Sequence, residues 1–194
     1  MSFNVLVIPE DFTKDEHILK PLVERICSKA NINATVTVCR DPNFRGRTSA
    51  TNEQRLRDEV VARYPMVDLF ILMVDRDGDL SRDIAMENLQ SRFDAELTER
   101  RKHFFASLAW QEVEVFVLAG HTLNDGWRWT EIRSDPDVKN TYFMELVIRE
   151  GTGQLPHQGR KKLMAIALRE FRRILSLCPE DLGRLYNLIL RIRP

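Results

Sequence analysis

The run LFILMV at residues 69–74 is the feature that most restricts the fold, because continuous apolar sequence stands between two aspartates. A strand with one solvated face would alternate apolar and polar residues. An unbroken apolar run of this length is instead typical of a strand that is covered on both faces, as strands are in parallel sheets with helices on each side. The run therefore predicts a strand that is buried on both faces, as in an α/β protein.

The rest of the chain extends this pattern by alternating short β-branched runs with segments of helical periodicity. Strands are predicted at 4–8, 35–39, 69–74 and 113–119, and helices at 15–30, 52–64, 83–105, 138–149, 160–177 and 180–192. Such alternation predicts a mainly parallel, Rossmann-like sheet flanked by helices. We expect a single domain, with an α/β core over 1–125 and a mostly helical C-terminal extension over 126–194.

Composition narrows the class of protein, since 194 residues with 43% hydrophobic and 30% charged side chains are typical of a globular chain. Cys27, Cys39 and Cys178 are odd in number and lack CxxC spacing, so they are predicted to be core thiols rather than a disulfide framework or a zinc cluster. No apolar run approaches the ~20 residues of a membrane span, and the first residues lack a secretory signal pattern. These features predict a cytoplasmic protein that has no membrane partner.

The charges are balanced overall but unevenly distributed along the chain. Residues 151–194 contain nine Lys and Arg against three Asp and Glu, which leaves twenty against twenty-six in residues 1–150. An acidic body is suited to binding metal ions, and a basic tail is suited to contact with a polyphosphate. A solvated helix face explains the tail equally well.

The sequence VDRDGD follows the most apolar strand and places acidic residues where functional groups collect in a parallel sheet. Asp75 and Asp77 are two residues apart, so their carboxylates can point the same way and share a metal ion. A surface turn is the alternative without function. A calcium loop of the EF-hand type is excluded, because Leu80 and Met86 occupy the positions that need glycine and glutamate.

One family resemblance is to phosphatases of the haloacid-dehalogenase type, whose strand is followed by an Asp-x-Asp-Gly-Thr loop. ILMVDRDGDL resembles that segment, which would make Asp75 the nucleophile and Asp77 the acid. Asp79 replaces the threonine, and two predicted strands precede the loop, whereas this superfamily tends to carry it on the first strand. The phosphatase is therefore the second alternative.

A wider resemblance is to the Toprim fold, and to nucleases of the overcoming-lysogenisation-defect type and small stand-alone bacterial Toprim proteins. Those proteins have a glutamate after the first strand, an Asp-x-Asp after a later one and often another acidic residue on a following strand. Glu10, the pair Asp75 and Asp77, and Glu114 resemble these positions. Asp15 resembles the second acidic residue of the first motif, although the spacing is one residue longer than usual and Asp11 is an alternative.

The Toprim resemblance implies a metal-dependent nuclease that hydrolyses DNA or RNA with Mg²⁺ or Mn²⁺. It implies a set of metal ligands, namely Glu10, Asp15, Asp75, Asp77 and Glu114. Glu10, Asp75 and Asp77 would be catalytic, together with Lys161 or Lys162, which fall where such proteins often have a lysine near the scissile phosphate. No tyrosine lies near these motifs in the sequence, which favours hydrolysis over a covalent phosphotyrosine.

Several arginines outside the acidic motifs are candidate contacts to nucleic acid. They are Arg45 and Arg47 in a basic loop, Arg128 between two tryptophans, and Arg169, Arg172 and Arg173 in the basic tail. The resemblance also implies a bacterial antiphage defence system with a separate ATPase of the ABC or AAA kind, since this chain has no GxxxxGK[ST] motif. The remaining alternative is a non-catalytic Toprim-like module that binds such an ATPase. The sequence leaves the polymer and the oligomeric state open, a homo-oligomer included.

Overall fold

A parallel sheet forms the centre of the protein in a computed structural model that describes residues 2–44 and 46–192. Its strands are β1 (Phe3–Pro9), β2 (Ala34–Val38), β3 (Leu69–Asp75) and β4 (His103–Ala109). All neighbouring strands are parallel, and their order across the sheet is β2-β1-β3-β4. The fold is therefore the predicted α/β class, with an arrangement consistent with Rossmann-like and Toprim-like sheets.

Ten helical segments connect and cover the strands in the described part of the chain. They are α1 (Phe12–Lys29), α2 (Arg47–Ala50), α3 (Glu53–Arg55, extended by a π-helical turn Leu56–Val61), α4 (Arg82–Leu97), α5 (Glu114–Ala119), α6 (Trp129–Ser134), α7 (Met144–Arg149), α8 (Arg160–Ala167), α9 (Phe171–Leu177) and α10 (Arg184–Leu190). Further short helical turns precede α7, α8, α9 and α10.

The apolar run of β3 is buried on both faces, as its sequence predicts. Ile71 and Met73 belong to a core shared with α1, α5 and the C-terminal helices, whereas Leu72 and Val74 belong to a second core shared with α3 and α4. Successive side chains of a strand point to opposite faces, so a strand in this position needs apolar residues throughout.

Two predicted elements are wrong. Residues 83–105 do not form one helix, because α4 ends at Leu97 and β4 begins at His103. Residues 113–119 do not form a strand, because Glu114–Ala119 is helical. Every residue of that helix is buried, so its sequence shows neither the helical nor the strand period. The fourth strand is HFFASLA instead of VEVFVLA.

Helices of the predicted extension pack on the same core as the sheet. Phe143, Leu163 and Ile174 share a buried cluster with Val5 and Ile71. Gly120 fixes the approach of α5 to α8, because a Cβ atom there would lie 2.5 Å from the Cα atom of Ala167. This close packing holds the end of α8 against the end of α5.

The three cysteines, Cys27, Cys39 and Cys178, are buried free thiols, as predicted. Burial raises the pKa of the Cys27 and Cys39 thiols to about 11. They are therefore unreactive at neutral pH. Among the helices that the structure describes, none has the length and apolar character needed to cross a membrane.

The strand order creates a crevice at one edge of the sheet. From β1 the chain moves outward to β2 on one side, and from β3 it moves outward to β4 on the other side. The connections after β1 and β3 therefore diverge, and the place between these two strands is called the switch point of the sheet. Ligands of open α/β sheets bind there, outside the carboxyl ends of the strands.

Candidate functional site

At the switch point one strand ends in an acidic residue, Asp75, and the other is followed by one, Glu10. Pro9 of β1 is in register with Met73 of β3, so Glu10 and Asp75 stand at the same edge on neighbouring strands. One oxygen of Asp75, Oδ1, accepts a hydrogen bond from the backbone N–H of Val113 at 3.0 Å. The Glu10 atom Oε2 is buried and has no hydrogen-bond partner. The fold thus joins two carboxylates that are far apart in the sequence.

Two further buried carboxylates approach from the helices. Asp15 lies in the first turn of α1 and accepts a hydrogen bond from the backbone N–H of Asp11 at 3.0 Å. Glu114 is the first residue of α5, and it is 3% exposed. Asp11, the alternative to Asp15, instead caps α1 by accepting from the backbone N–H of Thr13. The helix therefore presents Asp15 rather than Asp11 to the other acids.

The pKa values of these groups respond to burial and to one another's charge. Burial raises the pKa of Asp75 well above its usual value, and the negative charges of four neighbours, Asp15, Glu114, Glu10 and Asp77, raise it further. Burial also raises the pKa of Asp15 to about 7. The negative charge of Glu114 raises this pKa further, whereas the hydrogen bond from the Asp11 backbone lowers it. We call these residues, Glu10, Asp15, Asp75, Asp77 and Glu114, the carboxylate cluster.

The pKa of Glu10 is also raised, by burial first and by the charge of Asp77 second. The backbone N–H groups of Asp75 and Arg47 and the charge of Arg47 oppose this shift. Among the described residues, no Lys or Arg forms an ion pair with Glu10, Asp15 or Asp75. These acids therefore repel one another without a countercharge of their own.

Asp77 occupies the exposed rim of the cluster and is paired with two arginines. Its Oδ2 atom lies 3.2 Å from Nη1 of Arg47 and 2.9 Å from Nη1 of Arg82. Arg82 also donates to the backbone carbonyl of Asp75 at 2.7 Å. Asp77 has φ 45°, in the left-handed region, as tight turns with a following glycine often do. Arg47, which the sequence suggested as a nucleic-acid contact, thus lies directly beside the acidic residues.

The cation that contacts the buried part of the cluster is Arg160, which the sequence analysis missed. Its Nη2 atom lies 2.6 Å from Oε1 of Glu114, and both side chains are almost wholly buried. Lys161 and Lys162, the predicted phosphate contacts, are exposed on α8. Lys161 lines a different cavity, together with His17. Arg160 is the first residue of α8 and follows Gly159, which caps the helix with φ 73°. This glycine is the sequence signal that could have drawn attention to Arg160.

Of the other predicted arginine contacts, those that the structure describes lie apart from the cluster. Arg128 is exposed, at 3.9 Å from Glu131. Arg169 lines a cavity with His121, beyond the opposite end of α5 from Glu114. Arg172 and Arg173 follow on α9, and Arg45 lies outside the described residues. The arrangement therefore concentrates positive charge near the acids in Arg47, Arg82 and Arg160.

The cluster has the donor chemistry of a site for a hard divalent cation. Carboxylate oxygens are the ligands that Mg²⁺ and Mn²⁺ prefer, and the unpartnered oxygen of Glu10 is an available donor. Within the described residues, however, no three His, Cys, Asp or Glu side chains are already close enough together to hold an ion. Cation binding would therefore draw carboxylates together that otherwise repel.

Comparisons with known proteins give no relative from which to take a function: no family model, no curated protein and no solved structure matches this chain significantly.

Proposed function

We propose that the protein is a nuclease that hydrolyses phosphodiester bonds of nucleic acid with the help of Mg²⁺ or Mn²⁺. The observation that carries the proposal is the meeting of buried, mutually repelling carboxylates at the β1 and β3 switch point. Keeping such acids close together lowers stability unless a cation binds there, so their presence points to a function.

Glu10, Asp75 and Asp15 would hold the cation, because they have no ion-pair partner in the described chain. When bound, a divalent cation neutralises charge on phosphoryl oxygens and lowers the pKa of water. Glu114 would serve as a further ligand, and Arg160 is a positioning residue that fixes one of its oxygens. The ion pair also limits the negative charge that the cation must balance.

Arg47 and Arg82 favour a polyanionic substrate. Both guanidinium groups now contact Asp77, and a cation that takes over this carboxylate would leave their donors available to phosphate oxygens. A cavity of about 500 Å³ beside them is lined in part by the apolar residues Val74, Met86 and Leu89. This combination of arginines and apolar surface suits a nucleotide strand.

The proposal leaves the choice between DNA and RNA to experiment. The separate ATPase partner and the role in antiphage defence rest on the resemblance alone and remain predictions. The non-catalytic module is an outcome of the same test, because such a module would have no hydrolytic activity.

The test uses the purified full chain with plasmid DNA, single-stranded DNA and RNA, each with Mg²⁺, Mn²⁺ or a chelator. We expect cation-dependent cleavage, and we expect Asp75→Asn and Glu10→Gln each to lower the rate by about 100-fold or more. Asp58→Asn is the control, since Asp58 is an exposed acid in the turn that extends α3, where its side chain accepts a hydrogen bond from Gln54 rather than facing the cluster.

Two results would overturn the nuclease proposal. Hydrolysis of para-nitrophenyl phosphate with intact polynucleotides would favour the phosphatase alternative. Absence of all hydrolysis, in a folded protein whose thermal unfolding is unaffected by Mg²⁺ or Mn²⁺, would favour the non-catalytic module.

A further inference from the structure

A second cavity, separate from the carboxylate cluster, lies beside the loops that follow β3 and β4. Its volume is about 510 Å³, which is within the usual range for small-molecule sites. Its lining contains two arginines, Arg76 and Arg133, and one acid, Glu180, together with uncharged polar residues and an apolar wall. The wall is formed by Leu80, Trp110, Trp129, Leu177 and Pro179.

Arg76 is the unusual member of this lining. The residue is 2% exposed, and its guanidinium carbon lies 3.8 Å from the centre of the Trp110 ring. Its Nε and Nη1 atoms are buried without any hydrogen-bond partner. The acid nearest to it is Asp83, at 3.6 Å from Nη2, which is too long for a hydrogen bond. A buried guanidinium with open donors is costly and calls for an anionic partner.

Arg133, a second arginine beside the cavity, shows what a satisfied group looks like. Its Nη1 and Nη2 atoms each lie 2.9 Å from a carboxylate, of Asp181 and Glu180 respectively. Its guanidinium carbon lies 5.0 Å from the Trp110 ring centre, so the two arginines share an aromatic neighbour. Arg133 therefore has two hydrogen-bonded carboxylates, whereas Arg76 has a longer contact with Asp83 and two donors without a partner.

We propose that this cavity binds a nucleotide, with its phosphate at Arg76 and its base against the aromatic and apolar wall. Phosphate oxygens match the planar fork of donors on a guanidinium, and indole and aliphatic surfaces accept planar bases. Because Nε and Nη1 have almost no solvent contact, the guanidinium turns from Trp110 toward the phosphate on binding. The nucleotide is either free or part of a strand, and the proposal does not depend on hydrolysis at the carboxylate cluster.

The test measures binding of adenosine 5′-monophosphate to the full chain without divalent cations, by calorimetry and tryptophan fluorescence. We expect saturable binding with a change in emission, and binding about 10-fold or more weaker for adenosine or inorganic phosphate alone. Arg76→Gln should weaken binding by a similar factor, whereas the exposed control Arg100→Gln should not change it. Thr130→Trp, which fills the cavity while keeping Arg76, should also abolish binding, and it keeps the test decisive if Arg76→Gln does not fold.

Two further experiments distinguish a free nucleotide from one that is part of a strand, and binding in this cavity from activity at the carboxylate cluster. Competition by a thymidine decanucleotide supports a strand-borne nucleotide, and its failure to compete supports a free one. Asp75→Asn should bind the monophosphate normally, even if nuclease activity is never found. The proposal is overturned if the native chain does not bind the monophosphate, if binding survives both Arg76→Gln and Thr130→Trp, or if Asp75→Asn abolishes it.

Discussion

Asp181 is a buried acid and Asp75 is a half-buried one, and the two are stabilised in different ways. Asp181 accepts hydrogen bonds from Arg133 and from the backbone N–H groups of Trp110 and Leu182. Asp75 accepts one from Val113 and is otherwise surrounded by acids. Burial raises the pKa of both carboxyl groups, but only Asp181 has an arginine that opposes the shift. The first is a structural ion pair, and the second depends on something outside the chain.

The largest expected effect on stability is that of replacing Asp181, the acid with hydrogen-bond partners. Asp181→Ala leaves the buried guanidinium of Arg133 with only the exposed Glu180, and it also removes the acceptor for the backbone of Trp110. Removing one partner of a buried pair costs about 3–5 kcal/mol, so we expect a loss of that size in urea unfolding. Asp75→Asn is the contrasting variant and should lose far less. Equal losses for the two variants would remove the distinction between the acids.

A smaller effect, of opposite sign, is expected for Asp15. Burial raises its pKa from 3.8 to about 7, so the folded protein holds a proton over this pH range that the unfolded chain has released. Its contribution to stability is therefore present at low pH and is lost as the pH rises from about 4 to about 7. Asp15→Asn lacks this loss and should exceed the native chain in stability at pH 8 by about 1–3 kcal/mol.

The measurement for Asp15 is urea unfolding at pH 5 and pH 8 without divalent cations. Glu24→Gln is the matched control, because Glu24 is an exposed acid on the same helix, where it pairs with Lys20. A native chain whose stability does not fall relative to Asp15→Asn between these pH values would contradict the assignment of Asp15 to the cluster.

The smallest effect is expected at the exposed rim. Arg47→Ala breaks a half-exposed pair with Asp77, and such pairs contribute at most about 1 kcal/mol. We expect little change in stability but weaker binding of a fluorescent oligonucleotide, with a smaller dependence of affinity on salt. Arg40→Ala removes another surface pair, to Glu16, and should leave that affinity unchanged. Equal affinities for the two variants would argue against a strand passing Arg47.

The parts of the fold that sequence predicts well are those with a clear period. The strands near 4–8 and 69–74 and the first helix are confirmed with small shifts of their ends. The segment 113–119 misleads because a wholly buried helix is apolar all round, and its valines favour a strand by propensity. Tertiary packing against α8, which the local sequence does not encode, decides its structure.

The site shows the same division. Glu10 and Asp75 follow apolar strands, so topology alone predicts that they stand at one edge. Arg160 cannot be found in this way, because its contact with Glu114 depends on how a distant helix packs. Two adjacent lysines are more conspicuous in the sequence, yet both side chains are exposed.

The backbone carbonyl of Gln111 links the carboxylate cluster to the cavity at Arg76. It accepts hydrogen bonds from the backbone N–H groups of both Arg76 and Asp77, at 2.9 and 3.1 Å. Gln111 also directly follows Trp110, the residue on which Arg76 stacks. A shift of this one peptide therefore alters the acidic rim and the arginine stack at the same moment. If a cation at one site and a nucleotide at the other move it differently, each must change the affinity of the other by the same factor, since such linkage is reciprocal.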